Sequence, residues 1–153
     1  MTIYIFIFIT SWSSSYLYSR SKDSNASAIF CILTFFFLFI PAALRYNIGT
    51  DYKNYVAIFN KILYTQKASQ EPGFLLLNQT IQKVGLGSQW VFISVSFLTY
   101  FFLFKSIEKK DFYLAIPIYI LVIYGMSYSA IRQALVMSMS MYAIKLFFDK
   151  KTN

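Results

Sequence analysis

Histidine is absent from this chain, and cysteine occurs once, at Cys31. These gaps exclude an intrachain disulfide, a His/Cys zinc site and Cys–His nucleophilic catalysis. They also exclude membrane acyl transfer that depends on an intramembrane histidine. Cys31 lies inside an apolar run and reads as a small packing residue. Acids are scarce as well: six Asp and Glu stand against 14 Lys and Arg in 153 residues, a net charge of +8. Only Asp51 and Glu71 fall between residues 45 and 88; Asp23, Glu108, Asp111 and Asp149 lie elsewhere. A general base working in that stretch is one of these two.

Charge of either sign is thin, at 13% of residues, where soluble domains carry about a quarter. The chain is instead 58% hydrophobic and 21% aromatic, with a mean hydropathy of +0.53. Such a composition, arranged in long apolar runs, belongs to an integral membrane protein. The basic residues cluster at the ends of those runs. They therefore point to membrane lipid and the membrane potential as partners, and not to nucleic acid.

Five apolar segments, at about 3–18, 26–44, 89–104, 112–128 and 133–148, predict an all-α polytopic membrane protein with five transmembrane helices in one domain, 1–153. The first segment lacks the positively charged start of a signal peptide and reads as a retained span. Pro41 and Pro117 fall within spans, where neighbouring helices tolerate them. The connectors 19–25 and 105–111 and the tail carry Arg20, Lys22, Lys105, Lys109, Lys110, Lys145, Lys150 and Lys151. These segments alternate onto one face, which the positive-inside rule makes cytoplasmic. The N-terminus and the loop 45–88 then lie outside.

That outer loop is patterned. Tyr52, Tyr55, Val56, Phe59, Ile62 and Leu63 follow the spacing of one helix face, with Thr50 and Asp51 where an N-cap and a first-turn acid belong. A second helix begins at Glu71-Pro72, ends at Gly85, and carries Phe74, Leu77, Ile81 and Val84 as its stripe. Two amphipathic helices lying along the outer interface make a shelf over the spans.

The stretch RYNIGTDYKNY (45–55) directly follows the second apolar run. Its plain reading is that Arg45 snorkels, Gly49 turns the chain and Asp51 caps a helix. Arg132 in SAIRQ (129–133) has the same plain reading, at the outer end of the fifth span. The topology nevertheless puts both arginines on one face, where two guanidinium forks form a clamp suited to phosphate.

RYNIGTDYKNY, EPGF at 71–74 and SAIRQ at 129–133, in that order, resemble the EpsG/Wzy-type polysaccharide polymerases. The likeness covers roughly residues 1–148 and the first part of the family pattern. Family members are longer, so the chain reads as a truncated, N-terminal part. The resemblance implies a bacterial cytoplasmic-membrane glycosyltransferase that builds capsule, O-antigen or exopolysaccharide. Its substrate would be oligosaccharide repeat units on undecaprenyl diphosphate, with no cofactor or metal and with other polysaccharide-assembly membrane proteins as possible partners. Arg45 and Arg132 would stabilise the diphosphate leaving group. Asp51 or Glu71 would accept the proton of the incoming hydroxyl, and Tyr46, Gly49, Tyr52, Tyr55 and Gln133 would support them. Two alternatives stand beside it. One is a lipid-linked sugar transporter component, which calls for charges deep inside spans. The other is a non-catalytic remnant or assembly partner.

Overall fold

The computed structural model describes residues 2–65 and 71–152, and every regular element among them is helical. In chain order these are α1 (Thr2–Arg20), α2 (Ser24–Ala43), α3 (Tyr52–Thr65), α4 (Pro72–Lys83) and α5 (Gln89–Ser106). A composite segment, Lys109–Ser127, follows: a 3-10 turn, α6 (Phe112–Tyr119), a π turn (Ile120–Tyr124) and α7 (Gly125–Ser127). The chain closes with α8 (Ile131–Thr152). Pro117 has no N–H to give the preceding turn, and the helix widens into its π turn just beyond it. Asp23 caps α2, its carboxylate accepting from the Asn25 and Ala26 amides.

All five expected spans form helices; among the described residues, α2, α5 and Lys109–Ser127 are both long and apolar enough to cross a membrane. Three of the five expected spans thus meet both criteria. α1 and α8 have the length, at 19 and 22 residues; they are diluted by polar side chains. In α1 the dilution has a packing cause. Ser11, Ser14 and Ser15 are buried along the face that also buries Ile7. The Ser14 and Thr34 hydroxyls hydrogen-bond at 2.6 Å between α1 and α2. Small hydroxyl residues let two helices approach closely in an apolar medium and give them a polar contact as well.

α1 packs on α2 and α6, α2 on α5, and α5 on α8. One end of this row gathers the basic segments: the Lys109 ammonium donates to the Ser21 carbonyl (2.9 Å) and the Lys145 ammonium to that of Lys105 (3.0 Å). The other end carries residues 45–51, α3, α4 and the 128–130 turn. α3 and α4 bury their apolar faces against each other and against α5, where Tyr52, Tyr55, Phe59, Phe74 and Ile81 meet Val91, Phe92 and Val95. Val84, expected on that stripe, is exposed because α4 ends at Lys83 and Gly85, at φ +79°, turns the chain away. The Leu63 side chain lies outside the described residues.

Thr34→Val keeps the volume and deletes the bond to Ser14. It is expected to lower unfolding free energy by roughly 0.5–1.5 kcal/mol, measured as denaturation of the purified protein in mixed micelles. Unchanged stability would show that the α1–α2 seam rests on packing alone.

Candidate functional site

Leaving α2, the chain folds back sharply, with Asn47 at φ 52° and Gly49 at φ 95°. Both are left-handed conformations, which asparagine tolerates and glycine adopts without strain. The fold-back lays residues 45–50 against the turn between α7 and α8. Gly49 approaches the Tyr128 carbonyl so closely that a Cβ would sit 2.2 Å from its oxygen. The Thr50 amide donates to Ser129 Oγ at 3.2 Å. At the start of α5, Gln89 Nε2 donates to the Ala43 carbonyl (2.7 Å) and the Arg45 carbonyl (3.3 Å). It thereby covers acceptors that the end of α2 would leave open.

Arg45 sits under this seam and is 3% exposed. Its guanidinium carbon lies 4.9 Å from the Phe92 ring centre and 5.3 Å from that of Tyr128, and Nη1 donates to the Ser127 carbonyl at 3.3 Å. Nε and Nη2 have no hydrogen-bond partner among the described residues. Burial pushes the Arg45 pKa below its ordinary value, because desolvation penalises the charged form. The cavity beside it, bordered by Ser96, Thr99, Tyr100 and Ser127, measures about 10 Å³. That is room for one water-sized group. Arg45 thus neither snorkels toward the headgroups nor has space beside it for a diphosphate in this structure.

Arg132, in the first turn of α8, is one-third exposed. Its guanidinium carbon lies 5.8 Å from the Tyr55 ring centre and 5.4 Å from that of Phe74, and Nη1 meets Glu71 Oε2 at 3.1 Å. Two cavities border this one side chain. The first, about 570 Å³, is an apolar groove between α4, α5 and α8, lined by Phe74, Leu77, Leu98 and Leu135 with Glu71 at its edge. The second, about 420 Å³, runs along α3 and is lined by Asp51, Asn54, Tyr55 and Lys61. Both volumes fall in the range of small-molecule clefts. Asp51 takes the N-cap position of α3; its carbonyl accepts from the Tyr55 amide (3.0 Å) and its carboxylate from Asn54 Nδ2 (3.5 Å).

The fold therefore brings Asp51, Glu71, Tyr55 and Arg132 to one rim, while Arg45 lines a different, much smaller cavity. Burial decides the split: Arg45 follows a helix that α5 and the 127–129 turn enclose, whereas Arg132 opens a helix beside the shelf. Tyr52 is buried in ring stacking with Phe92 (4.7 Å), and Tyr46, 80% exposed, meets the edge of Tyr52 at 5.9 Å. Gln133 is exposed. Phe92, Gln89, Asn54 and Lys61 were not singled out by sequence. Phe92 sits unmarked in an apolar run, whereas Asn54 and Lys61 lie on the polar side of α3, opposite its apolar stripe. Among the described residues no three His, Cys, Asp or Glu gather to hold a metal.

A sequence model described as the EpsG family matches residues 28–153. The matched region holds every residue of the Arg132 rim and of the Arg45 seam. No curated protein and no solved structure matches the chain.

Gly49→Ala should cost at least about 2 kcal/mol, from a forced left-handed alanine plus the collision with the Tyr128 carbonyl. Gly73→Ala, whose Cβ meets nothing, should be neutral or stabilising by up to about 1 kcal/mol. Thermal unfolding of both variants in detergent checks the contrast; equal behaviour would show the Gly49 seam to be soft.

Proposed function

The chain belongs to the EpsG family, and from that premise we propose that it is a membrane glycosyltransferase that polymerises oligosaccharide repeat units carried on undecaprenyl diphosphate. The observation that carries this reading is the position of Arg132, between an apolar groove and a polar pocket on a single rim. A lipid-linked sugar has three chemically distinct parts in a row. Its isoprenoid matches the Leu- and Phe-lined groove, its diphosphate the guanidinium, and its sugars the Asp51–Asn54 pocket.

In the reaction, an acceptor hydroxyl attacks the anomeric carbon of the lipid-linked chain. The bond from that carbon to the diphosphate oxygen breaks, and the lipid diphosphate leaves. Arg132, held between two aromatic rings, stabilises the negative charge that develops there. Asp51 accepts the hydroxyl proton. Glu71 suits the base role less well, because it is paired with Arg132. An ion pair this exposed is worth about 0–1 kcal/mol, so a doubly charged diphosphate displaces the carboxylate readily.

Arg132→Lys keeps the charge and loses the fork, and should lower polymer output about tenfold to a hundredfold. Asp51→Asn preserves a good helix cap and should abolish polymer, whereas Glu71→Gln should retain it. Polymer length on gels, with membrane protein level as control, is the readout. Wild-type polymer from both Arg132→Lys and Asp51→Asn would refute the proposal.

The same reading sets the rim on the outer face of the cytoplasmic membrane. In a Cys31→Ser background, Asn60→Cys should react with an impermeant thiol reagent on intact cells and Lys22→Cys should not. The reverse pattern would put the rim in the cytoplasm, on the wrong side for outer-face polymerisation.

A further inference from the structure

Arg45 is the most deeply buried charge described in the protein, and the proposed reaction leaves it without a task. Its surroundings say what it does. Thr99 Oγ1 already donates to the Val95 carbonyl, and Ser127 Oγ to the Tyr124 carbonyl. Both hydroxyls therefore present only lone pairs to the Arg45 cavity, as does the Ser127 carbonyl that Nη1 contacts. The cavity holds no more than one water-sized group, so in this structure Arg45 belongs to the scaffold and not to a diphosphate site.

What the scaffold holds is the turn that launches α8. Arg45 grips residue 127 through the carbonyl and residue 128 through the ring face. Gly49 lies flat on the Tyr128 carbonyl, and Thr50 bonds to Ser129. Tyr128 itself donates to the Tyr124 hydroxyl (2.9 Å), which donates to the Leu38 carbonyl of α2 (3.1 Å). Every residue from 127 to 129 is thus tied to the end of α2 or the loop after it, and Arg132 follows three residues later. We propose that Arg45 is a positioning residue: it locks the 127–129 turn, and through that turn fixes where the Arg132 guanidinium meets a diphosphate. The proposal rests on the reading of Arg132 given above.

Two measurements on the purified chain in nanodiscs test it. The first is hydrogen exchange at the Ser129 and Ala130 amides, both of which donate to the Met126 carbonyl. Arg45→Lys should speed their exchange about tenfold, because lysine has neither the fork nor the flat face. Exchange in the middle of α1 should be unchanged. Ser129→Ala, a gentler cut in the same seam, should speed it less. Unchanged exchange at 129–130 in Arg45→Lys overturns the lock.

The second is binding of geranylgeranyl diphosphate, compared among wild type, Arg45→Lys, Arg132→Lys and the double variant. Each single change should weaken binding about tenfold, and the double should be no weaker than Arg132→Lys alone, since Arg45 acts through Arg132. An Arg45→Lys loss that persists in full on the Arg132→Lys background overturns the proposal, because Arg45 would then touch the ligand itself. If Arg132→Lys leaves binding unaltered, the site reading fails instead, and exchange alone judges the lock.

Discussion

A guanidinium cannot be deprotonated inside a protein, so the fold that buries Arg45 must answer its charge with what lies within reach. Removing an ion from water costs several kcal/mol even after relaxation. No carboxylate borders the Arg45 cavity. The answer is assembled from aromatic faces and carbonyl dipoles: Phe92 from α5, Tyr128 and Ser127 from the turn before α8. Those groups come from distant parts of the chain, so compensating one charge fixes how the C-terminal end of α2 meets the N-terminal ends of α5 and α8. Gly49 and Gln89 then close the seam by close approach and by covering open carbonyls.

The two arginines at this end of the bundle sit in opposite surroundings. Arg45 is enclosed between aromatic rings, with Nη1 on a carbonyl; Arg132 carries a carboxylate partner that solvent reaches. Aromatic stacking serves each. In the first it replaces water, and in the second two rings flank a guanidinium that also pairs with Glu71.

Serine in α1 and tyrosine around α2 follow the same logic at lower stakes. Hydroxyl groups placed between helices satisfy carbonyls and each other, as at Ser14–Thr34 and Tyr128–Tyr124–Leu38. The cost of that arrangement is visible in composition: α1 falls short of the hydropathy of a free-standing span because its polar side faces protein.

Composition and local periodicity alone determined the membrane class, the five long helices, the amphipathic pair α3 and α4, the proline start and glycine end of α4, and the gathering of basic segments at one end. Each depends on residues a few positions apart, which is why each was legible. The family likeness too rested on short strings, RYNIGTDYKNY, EPGF and SAIRQ, and the match to residues 28–153 agrees with it. Tertiary structure decided the rest. Arg45 and Arg132 look equivalent in sequence, each beside an apolar run. Their fates part because Phe92 and the 127–129 turn close over one of them, while α3 and α4 leave the other at an open rim. Burial is a property of what the rest of the chain brings alongside a residue, and the residues flanking Arg45 carry no record of Phe92.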